Sequence, residues 1–198
     1  MVDLDISAIL LAAGFSRRMG DTDKLLLEYG GKTLIERAVC LLDSLPCRQK
    51  ILVVGPGLFE TLALPPGVEA VINHNPQAGQ SESLRLGLGS AIRRGYIFLN
   101  ADQPRLSLGA LRPLFALAAE NADKIAYPTI DGLPCSPAFF SARFRAELLS
   151  QTGDAGGRAV RAAHPESRVT FEAENPLDFM DVDSPEDYRE LTSHPHEK

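Results

Sequence analysis

Short apolar runs punctuate the chain, and the strongest of them lack the alternation of a half-exposed strand. Ala8-Ile9-Leu10-Leu11, Ile51-Leu52-Val53-Val54 and Tyr96-Ile97-Phe98-Leu99 are each continuous. That pattern suits strands covered on both faces, as in a parallel sheet inside an α/β domain. Further strands are predicted at Glu69 to Ile72, Lys124 to Tyr127, Pro137 to Phe140, Arg168 to Phe171 and Phe179 to Val182. Helical spacing fills the intervals. Leu34, Ile35, Ala38, Val39, Leu42 and Leu45 recur on one helix face, opened by Thr33 with Glu36 three residues on, as in a capping box. Cys40 falls inside this pattern and is expected to be a small buried hydrophobe. A helix carrying Leu84, Leu88 and Ile92 is expected to close at Gly95, and Ser107 caps one carrying Leu108, Leu111, Leu114, Phe115 and Ala118. Ala142 to Gln151 reads as a helix, and Gly153-Asp154 opens another with Arg158 in its first turns. Ser184-Pro185-Glu186-Asp187 gives a cap, a proline at the first helical position and acids in the first turn.

Strand, helix, strand in this order requires right-handed crossovers and therefore parallel pairing. The expected fold is α/β: three layers, a mostly parallel twisted sheet with helices on both faces, Rossmann-like. Tyr29-Gly30-Gly31, Gly55-Pro56-Gly57 and Asp131-Gly132-Leu133-Pro134 read as turns. There is no internal repeat, low-complexity tract or linker, so residues 1–198 are expected to form a single domain.

Composition narrows the function. The chain is 44% hydrophobic and 23% charged, with a formal net charge of −6. An acidic chain without a basic face is not expected to bind nucleic acid. No run is long enough to span a membrane and no secretory leader is recognised, so neither a membrane nor export is expected. Cys40, Cys47 and Cys135 have no CxxC spacing and cannot all pair, which suits a reducing cytoplasm.

Against this acidic background, one stretch stands out. The strand ending at Leu11 runs into Ala12-Ala13-Gly14, where small side chains let a ligand lie against the backbone, and Arg17, Arg18 and Lys24 follow. Clustered cations beyond a strand's carboxyl end describe a site for an anion, with polyphosphate the first expectation. Asp102 follows another buried strand, and Asp183 follows a third candidate strand just before a capped helix. Hard cations such as Mg²⁺ take one or two carboxylates and keep several waters. Asp102 and Asp183 are therefore the candidate metal ligands. A dehydrogenase is disfavoured because no GxGxxG follows the first strand, and a Walker-type ATPase because GxxxxGK[ST] is missing.

LAAGFSRRMG followed by DKLLLEYGGKTLIERAV closely resembles the signature of the MobA-like nucleotidyltransferases, and GQSESLRLGL, ADQP, GDAGGR and DVDSPED continue the match in order. The branch it most resembles is the molybdenum cofactor cytidylyltransferases. The resemblance implies Mg²⁺-dependent transfer of the NMP part of an NTP, with CTP favoured, to a phosphorylated small-molecule acceptor, the molybdenum cofactor, with release of pyrophosphate. A molybdoenzyme or its chaperone is implied as the partner that receives product. A guanylyl or sugar-phosphate nucleotidyltransferase is the rival, and a non-catalytic nucleotide-binding protein a more distant one. By the same resemblance, Ala12, Ala13 and Gly14 hold base and ribose, and Arg18 and Lys24 face the triphosphate. Gly79 and Ser83 approach the nucleoside, and Asp102 and Asp183 hold the metal. Arg18, Lys24 and Asp102 are then the catalytic residues, while Asp154 and Arg158 lie on the acceptor side. Arg17 falls at a variable position. Cys135 and Ser136 replace a glycine and a polar residue usual before the proline of GLPCSPAFF, and Asn100-Ala101 departs from the residues typical before the metal aspartate.

Overall fold

A computed structural model of the chain describes residues 4–14, 23–154 and 156–193. In chain order its strands are β1 (Leu4–Ala12), β2 (Glu28–Tyr29), β3 (Lys32–Thr33), β4 (Cys47–Val54), β5 (Val68–Ile72), β6 (Gly95–Asn100), β7 (Ile125–Ile130), β8 (Leu133–Pro134), β9 (Ala138–Ser141) and β10 (Arg168–Glu172). Its helices are α1 (Leu34–Ser44), α2 (Pro56–Phe59), α3 (Gln80–Ser90), α4 (Leu108–Glu120), α5 (Arg145–Leu149), α6 (Gly156–Ala163) and α7 (Pro185–Ser193). The main sheet runs β10-β7-β9-β6-β1-β4-β5, with β8 folded back on β7, while β2 and β3 form a separate hairpin. β1 pairs in parallel with both β4 and β6, and β4 does so with β5. β9 alone in that path runs against its neighbours β6 and β7, so the sheet is mostly parallel as expected.

The continuous apolar runs are buried because both faces of the sheet are covered. Along β1, Ile6, Ala8, Leu10 and Ala12 pack into one core with α1, α4 and Leu191 of α7. Ile9 points the other way, into a second core with Leu84 and Leu88 of α3, Leu148 of α5 and Val160 of α6. On that face α3 comes very close: a Cβ on Gly87 would fall 2.5 Å from the Ile9 side chain. Three layers follow directly from this two-sided burial.

Local chemistry accounts for the boundaries, including those that differ from expectation. Thr33 and Glu36 form the reciprocal capping box at the start of α1. Cys40 lies off the buried stripe of that helix and is exposed, with Lys32 Nζ 3.3 Å from its sulfur; Cys47 is the buried thiol. α3 stops at Ser90 rather than running through Ile92 to Gly95. The Arg145 guanidinium donates to the Leu88 and Ala91 carbonyls at 2.6 and 3.1 Å. Gln49 accepts the Ile92 N–H at 3.0 Å. With the helix end satisfied by side chains, Ile92 is left 74% exposed and Gly95 opens β6. The helix expected over Ala142 to Gln151 is a 3₁₀ turn, Ala142–Phe144, continuing as α5. Phe179 to Val182 forms no strand. Phe179 ends a 3₁₀ turn, and the Val182 N–H donates 2.9 Å to the Asp102 carbonyl instead of to a neighbouring strand.

Candidate active site

β1 lies at the point where the sheet changes direction, with β4 and β5 built out on one side and β6 on the other. Open α/β sheets bind ligands beyond the carboxyl ends of strands at such a point. A cavity of about 460 Å³ opens there, and every described residue of the sequence-based site borders it: Ala12, Ala13, Gly14, Lys24, Gly79, Ser83, Asp102, Asp154, Arg158 and Asp183. Arg17 and Arg18 lie outside the described residues.

Each side chain reaches the cavity for an identifiable reason. Ala101 donates its N–H to the Leu11 carbonyl at 3.2 Å, which holds the turn after β6 against the end of β1. Lys24 opens a 3₁₀ turn capped by Asp23, whose carboxylate accepts the Leu25 N–H at 3.0 Å, and buried Leu25 anchors that turn. Asp183 need not cap α7. Ser184 Oγ accepts the Asp187 N–H at 3.2 Å, and the Asp187 carboxylate takes the N–H groups of Asp183 and Ser184 at 2.9 and 2.8 Å. The Asp183 carboxylate is thereby left to face the cavity. The Val182–Asp102 backbone bond then brings the two aspartates side by side although 81 positions separate them.

Lys24 joins them. Its Nζ lies 2.6 Å from Asp102 Oδ2 and 2.7 Å from Asp183 Oδ1. Burial pulls the ammonium's pKa down, but the Asp102 and Asp183 carboxylates outweigh it and the pKa is raised, so Lys24 is charged at neutral pH. Asp102 Oδ1 is buried and has no hydrogen-bond partner among the described residues. A third carboxylate, Asp181, lies in the same field. Burial first, then Asp102 and Asp183, push its pKa up to about 7 against the opposing pull of Lys24.

The opposite wall is built at the start of α3. Gly79 has φ +90°, and a Cβ there would lie 2.7 Å from the Gly153 carbonyl and from Asp154 Oδ1. The Asp154 carboxylate accepts the Gln80 N–H at 3.3 Å, and the Gly153 carbonyl accepts that of Ser81 at 3.0 Å. Asp154 thus fastens the loop before α6 to the first turn of α3, and Arg158 donates to its backbone carbonyl at 3.2 Å. Ser83 Oγ accepts a 3.0 Å bond from Asn73 Nδ2, and Asn73 is fully buried at the end of β5. Its hydroxyl proton remains to be donated into the cavity.

Sequence reasoning missed several of these residues. Asn73, Asn100 and Gln103 all sit at or just beyond strand ends, the position that singled out Asp102. Gln103 donates to the carbonyls of Phe179 and Ser136 at 3.0 and 3.3 Å and ties three loops together below the aspartates.

A family model described as the MobA-like NTP transferase domain matches residues 8–169. "Nicotine blue oxidoreductase" of Paenarthrobacter nicotinovorans is 29% identical over 170 residues, spanning 81% of this chain and 83% of that protein. "Purine catabolism protein PucB" of Bacillus subtilis is 30% identical over 195 residues, 91% and 92% of the two chains. "Molybdenum cofactor guanylyltransferase" of a Shewanella species is 24% identical over 196 residues, 97% and 98% of the two. Among solved structures, Rv0371c of Mycobacterium tuberculosis superposes with a TM-score of 0.82 at 24% identity, covering 98% of this chain and all of that one. Its manganese complex gives 0.76, again at 24%, over 95% of this chain and 98% of that one. The sheet order, the two-sided core and the full-length matches agree: the chain belongs to the MobA-like NTP transferase domain family.

Proposed function

We propose that the protein joins the NMP part of an NTP, CTP by preference, to the phosphate of the molybdenum cofactor and releases pyrophosphate. The observation that carries this reading is the junction of Lys24 with Asp102 and Asp183 on the floor of a cavity whose rim is the Ala12-Ala13-Gly14 turn. The small residues admit base and ribose against the backbone, with Gly79 and Ser83 closing the other side. A phosphate monoester is already anionic near neutral pH, so attack on the α-phosphorus needs no general base. The chain's task is to relieve repulsion between two anions, and Lys24 with Arg18 offsets the charge developing on the phosphoryl oxygens and on departing pyrophosphate. Among the described residues of the cavity wall, none forms a nucleophile–base pair.

Asp102 and Asp183 fit a divalent cation. One oxygen of Asp102 is buried without a partner, and both donors are hard oxygens. Among the described residues no group of three or more His, Cys, Asp or Glu is arranged to hold an ion, so phosphate oxygens and waters would complete the shell of Mg²⁺. When bound, Mg²⁺ supplies charge neutralisation at the phosphates. The manganese complex of a protein with this fold supports the same preference for a hard cation. Asp154 and Arg158 are assigned to the acceptor side, and product passes to a molybdoenzyme or its chaperone in the cytoplasm. No helix among the described residues is long and apolar enough to cross a membrane.

The full-length relative named for guanylyl transfer favours GTP as the rival nucleotide. Pyrophosphate release measured with CTP, GTP, UTP and ATP, each with the molybdenum cofactor, with a sugar phosphate and with no acceptor, decides the matter. Release that requires CTP and cofactor together is the expected result. Release with GTP alone among the four moves the assignment to guanylyl transfer, and release only with a sugar phosphate refutes the acceptor. No release under any pairing refutes the transfer chemistry.

A further inference from the structure

Helix α6 carries a second cationic feature beside the cavity. Arg158 and Arg161 stand three residues apart and share a helix face. Arg158 borders the cavity, and its one hydrogen bond among the described residues goes to the Asp154 carbonyl. Arg161 lies over the ring of Tyr127, 4.6 Å from its centroid, and Tyr127 is itself buried. The Arg161 side chain is half-buried. Its guanidinium has no hydrogen bond or ion pair among the described residues, although its backbone carbonyl accepts from Arg168 at 2.7 Å.

The surroundings of Arg161 are unusual for a half-buried charge. Burial is the largest influence against its charged form, and Arg168 and Arg158 add to it; the Tyr127 hydroxyl and the Cys135 thiol act the other way. A guanidinium does not escape such surroundings by losing its proton. Arg168 is committed to the carbonyls of Arg161 and Ala162 at the end of α6, both at 2.7 Å. The cost of holding three cations near one another falls if an anion comes to rest on them.

Cys135 lies in the field of both Arg161 and Asp181. Burial first, then the carboxylate of Asp181, raise its thiol pKa to about 11, with Arg161 opposing the rise. Asp181 lies in the field of Asp102 and Asp183. Arg158 borders the cavity, and Arg161 lies about one helical turn further along α6.

We propose that Arg158 and Arg161, the latter stacked on Tyr127, form a receiving site for a phosphate monoester, separate from the place where Lys24 meets the nucleoside triphosphate. This rests on the reading of the cavity as a nucleotidyl-transfer site and names the acceptor's anionic group as what α6 recognises. Arginine suits it because a planar fork meets two phosphate oxygens at once and can stack on a ring while doing so. The departing pyrophosphate is the other phosphate source that such a site attracts.

The test is calorimetric. The protein is saturated with Mg²⁺ and α,β-methylene CTP, which blocks transfer, and titrated with glycerol 1-phosphate as the monoester probe and then with pyrophosphate. Arg161→Gln is expected to weaken the monoester roughly tenfold or more, the loss of a charge-assisted bidentate contact. Binding of the nucleotide analogue should stay within about twofold. Arg161→Lys should recover part of the loss, and Tyr127→Phe, which keeps the ring, should retain the wild-type value. Equal monoester binding by wild type and Arg161→Gln overturns the proposal, as does competition between the monoester and the analogue. Loss confined to pyrophosphate also overturns it and assigns α6 to the leaving group. If no nucleotide analogue binds, the transfer reading fails independently. The titration of the free protein then decides the anion site: dependence on Arg161 supports it and indifference overturns it.

Discussion

Lys24 occupies the gap between the two candidate metal ligands, so it and a divalent cation compete for the same oxygens. Replacing it should therefore move metal affinity and turnover in opposite directions. Its Nζ makes two charge-assisted contacts, at 2.6 Å to Asp102 and 2.7 Å to Asp183, and only 12% of its side chain is exposed. A hydrogen bond to a charged group contributes about 1.5–3 kcal/mol net of desolvation. The Asp183 contact belongs at the low end or below it, because that carboxylate is 51% exposed. A cation that takes the Asp102 oxygens must break at least the better contact. Lys24→Met should thus bind Mn²⁺ about ten- to a hundredfold more tightly in the absence of nucleotide, at 1.4 kcal/mol per decade. The assay is a Mn²⁺ titration followed by electron paramagnetic resonance, with free ion as the signal. The same substitution should slow pyrophosphate release by roughly 2–4 kcal/mol, the usual worth of one electrostatic donor in a transition state. General damage to the fold would lower both. If Lys24→Met binds Mn²⁺ no more tightly than wild type, the two aspartates are not the ligands, or Lys24 does not stand in for the ion.

Three further outcomes follow from the same geometry. Asp102→Asn should cut the rate of pyrophosphate release by two orders of magnitude or more with an unchanged circular dichroism spectrum; near wild-type release would remove Asp102 from the metal site. Gly79→Ala places a Cβ 2.7 Å from the Gly153 carbonyl at φ +90°, a strain of about 1–3 kcal/mol or more. A fall in Tm of several degrees, with weaker nucleotide binding, is expected by thermal denaturation. The Asp181 carboxyl has its folded pKa raised to about 7 from 3.8, so the folded state holds an extra proton between those values and stability declines as pH rises through that window. In EDTA, Asp181→Asn should accordingly match wild type near pH 4 and exceed it at pH 8, by no more than about 1 kcal/mol because Asp181 is exposed and its charge is screened by solvent, read from urea unfolding; a difference independent of pH would refute the assignment.

How much of this was legible beforehand depended on the range of the interaction involved. Continuous apolar runs announced β1, β4 and β6 because two-sided burial leaves no polar face to interrupt them, and Thr33–Glu36 announced the start of α1 because a capping box is complete within four residues. The end of α3 was not legible: it is fixed by Arg145 and Gln49, far away in sequence, so the local pattern Leu84, Leu88, Ile92 overran it. Cys40 was misplaced for a simpler reason, since Ala38, Val39 and Leu42 already fill the buried stripe of α1 and leave its direction to solvent. Phe179 to Val182 reads as a strand because Phe179 and Val182 are apolar and buried, but that burial is achieved along the Asp102 loop instead of in the sheet.

That same misreading explains why the site could still be anticipated. Asp183 is placed by its position after a candidate strand and before a cap; no strand forms there, but Phe179 and Val182 are buried and Ser184 caps α7. What brings its carboxylate to Asp102 is one backbone hydrogen bond from Val182, with Gln103 holding the Phe179 carbonyl beneath it. The junction is therefore secured by main-chain contacts on either side of the acids, and the acidic side chains carry none of that structural burden themselves. Two like charges held together by the backbone repel unless a cation sits between them, and here Lys24 supplies it. Under the proposed transfer reaction, a triphosphate that drew the ammonium toward itself would leave the two carboxylates facing each other without it. The pull of the aspartates on a divalent ion would then be strongest once the nucleotide is bound.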